Sequence, residues 1–247
     1  MNENKQVRLK VSAIETDEGA GARVKRVFPT PRLRHVDPFV LLDEFYVTPP
    51  AAFPKHPHRG FEALTYMLEG AFHHRDDMGN DSIVAVGGAQ RFAAGKGIVH
   101  EELPGSQELS HGLQLWINLP LRLKGIDPDY QQVEPSDIPE IRSKGIYIRT
   151  IVGENSPVTS RTPMRYLDIN LDPGATFEDN VHPEWNTLLY ILDGKLNLYG
   201  LSLTSGEALV LEQAGSIKMT TKGKTRFVLI SGKPHGEPIH QHGSFVD

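Results

Sequence analysis

Short apolar segments separated by Gly, Pro, Asn and Asp recur along the whole 247-residue chain and restrict its possible folds more than any other feature. They occupy residues 39–42, 63–68, 83–86, 113–119, 146–152, 188–192, 208–211 and 227–230. Helical periodicity is scarce, and alternation within one segment would place Leu113, Leu115 and Ile117 on the same strand face. Many short strands at close spacing are typical of sandwiches and barrels, so we predict an all-β protein.

An internal repeat divides the chain into two similar halves. A shift of 124 residues aligns residues 63–70 with residues 187–194 and matches Leu, Tyr, Leu and Gly. Pairs of similar strands can also produce such a match by chance. We predict two β-barrels joined by a Pro-containing connection, with boundaries at residues 1–124, 125–143 and 144–247.

Composition excludes several kinds of protein. The chain has no cysteine, which rules out disulfides and thiolate metal ligands and leaves a bound metal or methionine as the only redox-responsive group. It has neither a basic leader followed by an apolar stretch nor a long apolar run, so we expect a soluble, cytoplasmic protein without membrane contact. A formal net charge of −5 gives no general attraction to phosphate backbones, and direct nucleic-acid binding is not expected.

Two pairs of possible metal ligands stand out, His56 with His58 and His100 with Glu102. Residues two apart share one face of a strand, so each pair can point at the same place. Two such strands side by side would bring three imidazoles and one carboxylate together. This donor set suits Fe(II), Mn(II), Ni(II) or Zn(II) better than Cu(I) or Ca(II), and four protein ligands leave an octahedral ion two open positions.

Spacing alone leaves alternatives open. Lone His-x-His pairs also occur on surfaces, and Glu62 is four residues from His58 and could share its face. In the second half, the 124-residue shift places His182 at the position of His58 but Asn180 at that of His56. We therefore expect the second barrel to bind no metal.

Two other histidine pairs have simpler interpretations. His73 and His74 are adjacent and would point to opposite strand faces, so they cannot chelate one ion together. We expect His74 to pack or to form a hydrogen bond. His240 and His242 have suitable spacing but no accompanying carboxylate pair, and we interpret them as surface residues.

Several longer motifs resemble the pirin family, whose members contain two cupin barrels. The likeness is carried by four segments: residues 33–45, residues 56–62 (HPHRGFE), residues 95–102 (GKGIVHEE) and residues 111–120 (HGLQLWINLP). It is dense over residues 32–120 and thinner afterwards. At residues 88–93 the chain departs from the run that pirins commonly carry, so the likeness defines the metal better than the substrate.

The resemblance implies two jelly-roll barrels, with a metal in the first. It implies His56, His58, His100 and Glu102 as ligands and Fe(II) as the most common metal, with Mn, Ni, Zn or Cu(II) as other candidates. Because the resemblance assigns Glu102 to the metal, we expect Glu62 to orient a ligand imidazole by accepting its distal N–H.

The resemblance also implies a function. Many bacterial pirins are associated with quercetin 2,3-dioxygenase activity, in which Glu102 would take the proton of the flavonol 3-hydroxyl group. The partners would then be a small phenolic substrate and dioxygen. An alternative is an iron-dependent redox-sensing regulator that binds a partner protein, and a third possibility is a metal that only stabilises the fold.

Overall fold

A computed structural model of the chain describes residues 7–212 and 214–247. Within these residues the chain forms 24 strands and two single-turn 3-10 helices, Leu121–Leu123 and Pro135–Asp137. In the same part of the chain, none of the helices has the length and apolar character needed to cross a bilayer. The prediction of an all-β protein is confirmed.

The described residues form two compact units. The first barrel contains residues 14–138, 157–162 and 235–247, and the second barrel contains residues 7–13, 139–156 and 163–234 apart from residue 213. These units interleave along the chain, which the predicted contiguous boundaries at 1–124, 125–143 and 144–247 did not anticipate. An early strand belongs to the second barrel, while the last residues belong to the first.

The first barrel has a seven-stranded sheet, a four-stranded sheet and a two-stranded hairpin, all antiparallel. In spatial order the large sheet consists of β12 (Asp129–Val133), β9 (Ala89–Ala93), β6 (Phe61–Glu69), β11 (Ser110–Asn118), β4 (Phe39–Val47), β3 (Ala22–Phe28) and β2 (Ile14–Glu18). The small sheet consists of β5 (Phe53–His58), β10 (Ile98–Pro104), β7 (Ala71–Asp76) and β8 (Asp81–Ala85). The hairpin consists of β23 (Gln241–His242) and β24 (Phe245–Val246).

The second barrel repeats the seven-plus-four arrangement. Its large sheet consists of β1 (Val7–Ser12), β20 (Glu207–Leu211), β17 (Asn186–Asp193), β22 (Thr225–Gly232), β15 (Met164–Leu171), β14 (Ile146–Val152) and β13 (Glu140–Ser143). Its small sheet consists of β16 (Thr176–Asn180), β21 (Ser216–Thr220), β18 (Lys195–Leu198) and β19 (Leu201–Thr204). Side chains from both sheets share one apolar core, the arrangement of a double-sheet jelly roll.

Residues 125–143, expected to be a connection, also contribute two strands. β12 pairs with β9 at one edge of the first barrel, and β13 pairs with β14 at one edge of the second. Pro128 and Pro135 lie just outside β12 rather than within it. Proline at strand ends and sheet edges does not remove a hydrogen bond from the middle of the sheet, so these prolines are compatible with strand formation.

Side chains of β11 alternate between two faces of the strand, and one of these faces lines the interior of the first barrel. Leu113, Leu115 and Ile117 are fully buried, as their spacing predicts. Gln114 and Trp116 point to the other face, where they line a cavity. One face of this strand therefore supplies packing, and the other supplies polar and aromatic groups to the barrel interior.

Among the residues that the structure describes, two apolar clusters lie in the first barrel. On β6, Ala63 belongs to one cluster and Met67 belongs to the other. Thr65 lies between them on the same strand face and is buried. The interior of this barrel thus contains a polar layer between two apolar ones, and the candidate site lies in that layer.

Candidate metal centre

Strands β5 and β10 bring three histidines together in the first barrel. The strands pair antiparallel, with His56 directly opposite His100. His58 and His100 are buried and His56 is half-buried. One ring nitrogen from each of the three lies within 4.8 Å of the others, and Nε2 of His56 is 3.2 Å from Nε2 of His100. The convergence of these imidazoles is the arrangement that the two-residue spacing predicts.

Hydrogen bonds determine which nitrogen of two of these rings is free to bind a cation. Nδ1 of His56 lies 2.6 Å from the carbonyl oxygen of Pro54, and Nδ1 of His58 lies 3.3 Å from that of Ser244. A carbonyl oxygen only accepts, so Nδ1 carries the proton in both rings and Nε2 carries a lone pair. The lone pair of His56 therefore faces Nε2 of His100, a contact that a shared cation would stabilise.

The spacing and charge of the histidines fit a divalent metal. Two imidazole nitrogens at about 2.1 Å from one ion and at right angles to each other would be about 3 Å apart, close to the contact between His56 and His100. Burial lowers the pKa of His58 to about 3 and holds the pKa of His100 well below its ordinary value, with neighbouring histidines adding to the effect. The pKa of His56 is also lowered by burial. Neutral imidazoles can bind a cation without first losing a proton.

Glu102 lies next to this group but is held by three polar side chains. Its Oε1 accepts a hydrogen bond from Nε2 of Gln90 at 2.9 Å and from the hydroxyl of Thr65 at 3.5 Å, and its Oε2 accepts one from Nε2 of Gln114 at 2.8 Å. Burial raises its pKa to about 7, and these hydrogen bonds act in the opposite direction. Three donors leave one acceptor position of an ionised carboxylate available for another partner.

Glu102 does not belong to the same group of possible ligands as all three predicted histidines. Its carboxylate forms a possible metal-binding group with His74 and His100, whereas His56, His58 and His100 form another. His100 belongs to both. Glu102 nevertheless lines the same cavity as His56 and His58. The pairing of β10 with β5 shifts register between His100 and Glu102, so the regular two-residue alternation is interrupted between them on that side.

His74 is a site residue that sequence reasoning did not place near the centre. It is fully buried, its Nδ1 lies 3.4 Å from Nδ1 of His100, and its Nε2 lies 3.0 Å from Asp76. The expectation that it forms a hydrogen bond is confirmed. Its neighbour His73 points away and pairs with Asp81. The sequence does show that His74 and Asp76 are two residues apart and could share one strand face. That this face lies beside His100 depends on the pairing of β7 with β10.

The expectation that Glu62 orients a ligand imidazole is wrong. Its carboxylate is fully buried and accepts hydrogen bonds from Arg91, from the hydroxyl of Ser160 and from the backbone N–H of Arg161. Burial raises its pKa, while Arg91 acts in the opposite direction. Glu62 therefore stabilises the packing of residues 157–162 within the first barrel. The distal N–H of His58 instead contacts Ser244.

A cavity of about 720 Å³ opens onto the candidate centre. Its lining includes His56, His58, Glu102, Gln114 and Trp116 on the inner side. The remaining lining residues are partly apolar, namely Pro29, Leu41, Phe53, Ile239 and Gly243. The others are polar or charged, namely Glu18, Arg26, Arg34, His35, Asp43, His240, Gln241, His242 and Ser244. The volume is within the range of small-molecule sites.

Part of the cavity rim comes from residues close to the end of the chain. His240 and His242 are exposed, as expected from the sequence, but they also line the cavity, which the sequence did not indicate. The hairpin β23–β24 that contains His242 is fixed to the barrel through Val246, whose N–H donates to Arg59 and whose carbonyl accepts from Lys124. Access to the centre therefore depends on how this hairpin is held.

The fold and the site together define a two-barrel cupin with a histidine-rich candidate metal centre in its first barrel. The sequence model of Pirin matches residues 21–117, and that of the Pirin C-terminal cupin domain matches residues 166–247. The chain belongs to the pirin family.

Relatives and solved structures agree with this assignment. Pirin-like protein 2 from Arabidopsis thaliana is 42% identical over 251 residues, covering 96% of this chain and 78% of that protein. Pirin from Homo sapiens is 40% identical over 257 residues, covering 100% of this chain and 89% of that protein. A crystal structure of quercetin 2,3-dioxygenase from Acinetobacter baumannii superposes with a TM-score of 0.90 at 28% identity, covering 98% of this chain and 91% of the other.

Proposed function

We propose that this protein is a metal-dependent dioxygenase that acts on flavonols such as quercetin, with Fe(II) as its metal. The observation that carries the proposal is the convergence of His56, His58 and His100 at the inner end of a cavity large enough for a flat aromatic molecule. Similarity to a solved quercetin 2,3-dioxygenase supports the choice of substrate class.

The three histidines would hold the metal through their Nε2 atoms, and Glu102 would complete the set. Imidazole nitrogens and one carboxylate form a donor set that suits Fe(II), and Mn, Ni, Zn or Cu(II) would also fit it. When bound, a redox-active ion would supply the electron transfer that allows dioxygen to react with the flavonol. Burial keeps the imidazoles of His58 and His100 neutral, so protons do not compete for the nitrogens at neutral pH.

Glu102 is the residue that we assign to proton transfer. In the metal-free protein, burial raises the pKa of this carboxyl group to about 7, and a buried carboxylate is a stronger base than an exposed one. The proton of the flavonol 3-hydroxyl group would pass to its carboxylate. Gln90 and Gln114 would hold the carboxylate in place while the substrate loses this proton. Dioxygen would then add to the deprotonated ring, which would open with loss of carbon monoxide while both oxygen atoms of dioxygen enter the products.

The cavity walls would orient the substrate and exclude water. Leu41, Phe53, Trp116 and Ile239 provide apolar surface along the cavity. Flat aromatic rings would bury their faces against these side chains, since aromatic contacts combine area burial with favourable stacking geometry. The polar rim would remain available to the hydroxyl groups of the substrate.

Turnover of quercetin in air by the Fe(II)-loaded protein tests this proposal. We expect loss of flavonol absorbance with release of carbon monoxide, and we expect Glu102→Gln and His58→Ala to abolish both. His182→Ala is the matched control, because His182 is the second-barrel counterpart of His58 and should not affect turnover. Absence of turnover with every candidate metal, or equal turnover by Glu102→Gln, would reject the proposal.

A further inference from the structure

A line of three buried side chains leads away from the candidate metal centre on the side opposite His56. His74 and Asp76 lie two residues apart on β7, and neither side chain is exposed. Nε2 of His74 is 3.0 Å from Oδ2 of Asp76, and Nδ1 of His74 is 3.4 Å from Nδ1 of His100. The other nitrogen of His100 faces His56. A carboxylate, an imidazole and a ligand imidazole are therefore joined in series.

The end of this series is rigidly held. Oδ1 of Asp76 accepts hydrogen bonds from the backbone N–H groups of Met78 at 3.0 Å and Asn80 at 2.9 Å, and its Oδ2 accepts one from the side-chain amide of Asn80 at 2.7 Å. The ring of His74 stacks on Tyr130, with centroids 4.5 Å apart and planes 20° from parallel. Neither group can turn away from His100 without breaking these contacts.

For neutral rings, one arrangement of protons satisfies every contact. A carboxylate only accepts, so Nε2 of His74 carries the proton that it donates to Asp76, and its Nδ1 carries a lone pair. That lone pair accepts from His100, whose Nδ1 must then be protonated. Nε2 of His100 is left with a lone pair directed at the same region as those of His56 and His58. The network thus selects the ring nitrogen of His100 that can bind a metal.

We propose that His74 and Asp76 are positioning residues for the metal centre: they fix the tautomer and orientation of His100 and, through its electron density, set the affinity and reduction potential of the bound metal. A carboxylate that polarises a ligand imidazole makes it a stronger donor, which favours the higher oxidation state of iron. This inference rests on the metal centre of the proposed function but not on the flavonol as substrate.

The strand itself supplies a matched control pair. His73 and Asp81 form a similar histidine–aspartate contact on the outward face of β7. We would compare Asp76→Asn and His74→Phe with Asp81→Asn and His73→Phe. His74→Phe retains an aromatic ring beside Tyr130 while removing both nitrogens, and Asp76→Asn removes the charge with little change in shape.

Metal affinity and reduction potential, measured without substrate, test the proposal. Competition between the protein and a chelator for Fe(II) and Zn(II) should show affinity about 10- to 100-fold weaker in Asp76→Asn and His74→Phe. The potential of bound iron should rise in both. Asp81→Asn and His73→Phe should behave as the unchanged protein.

Folding must be separated from positioning, so thermal unfolding of the metal-free variants is measured alongside. A lower melting temperature with unchanged affinity and potential in the folded protein would overturn the proposal, because His74 and Asp76 would then be only packing residues. Two ions per chain, one of them bound by His74, His100 and Glu102, would also overturn it. Metal binding without quercetin turnover would reject the proposed function and leave the test of His74 and Asp76 intact. Failure of the unchanged protein to bind metal would reject both proposals.

Discussion

Corresponding strands of the two barrels carry opposite kinds of side chain at the same register. In the first barrel, Thr65 on β6 lies opposite Gln90 on β9 and Gln114 on β11. In the second barrel, the equivalent row is Leu189 on β17, opposite Leu209 on β20 and Leu229 on β22. All three leucines are fully buried in one continuous apolar core.

The small sheets differ in the same way. Glu102 lies opposite Phe53 in the first barrel, and Met219 lies opposite Phe177 in the second. The two halves show that one strand frame supports either a polar centre or an apolar core. A buried polar layer is stable only if its members satisfy one another, as Gln90 and Gln114 do for Glu102. The polar side chains of the first barrel therefore depend on one another and cannot be exchanged singly without cost.

The largest effect on metal affinity should come from replacing Glu102 of the first barrel with the residue found at the equivalent position of the second. Glu102→Met introduces the side chain found at Met219 and removes the negative charge from the centre. We expect affinity for Fe(II) to fall by well over 100-fold, more than the loss of an outer hydrogen-bonding partner would cost. Chelator competition measures the change, and Met219→Leu should leave affinity unaltered. Unchanged affinity in Glu102→Met would remove Glu102 from the ligand set.

The reverse exchange should destabilise the second barrel. Leu229→Gln copies Gln114 into a core that offers no carboxylate among its apolar side chains. Loss of leucine burial and an unsatisfied amide should together lower the free energy of unfolding by about 3–5 kcal/mol. Urea unfolding in a Trp116→Phe background, followed by the fluorescence of Trp185, measures the cost, with Leu229→Met as the volume-matched control. A cost below that of Leu229→Met would mean that the core accommodates a polar side chain.

A pair of glycines, one in each barrel, separates backbone strain from a steric clash. Gly60 has a φ of +84°, and a Cβ there would lie only 1.8 Å from the carbonyl oxygen of Val246. Gly174 has a φ of +79° with nothing within 4 Å. Gly174→Ala should cost about 1–2 kcal/mol for the left-handed conformation, and Gly60→Ala about 1–3 kcal/mol more. Equal costs in chemical denaturation would show that the hairpin β23–β24 is not held closely against Gly60.

Acid sensitivity of the metal-free protein gives a further test. Burial lowers the pKa of His58 from 6.5 to about 3, so between these values the unfolded chain binds a proton that the folded first barrel does not. Stability of that barrel should therefore fall as pH decreases through this range. Fluorescence of Trp116 in a Trp185→Phe variant would report on the first barrel. His58→Gln should make the dependence shallower, and an identical slope would contradict the assignment.

The spacing of the candidate ligands within a strand could be interpreted from the sequence. His56 with His58 needs only the two-residue alternation of β5, and the same rule places His100 on the inner face of β10. The 124-residue repeat also showed that Asn180 stands at the position of His56 in the second barrel, and the absence of metal from that barrel stays a prediction. These features depend on local geometry that each segment specifies for itself.

Relations across a turn or between strands could not be obtained in this way. Glu62 was misplaced because Gly60, with its positive φ, separates β5 from β6, so the alternation that begins at His58 does not continue into the next strand. His74 was missed because its role depends on the pairing of β7 with β10, which the sequence does not specify. The redox-dependent partner protein remains a prediction from the sequence.

Anomalous X-ray diffraction at the iron edge, on crystals of the Fe(II)-loaded protein, tests the central claim most directly. The expected result is one strong peak per chain, within bonding distance of the imidazoles of His56, His58 and His100, and none within the second barrel. A peak among the leucines of the second barrel, or three imidazoles in the first barrel without a shared ion, would contradict the account.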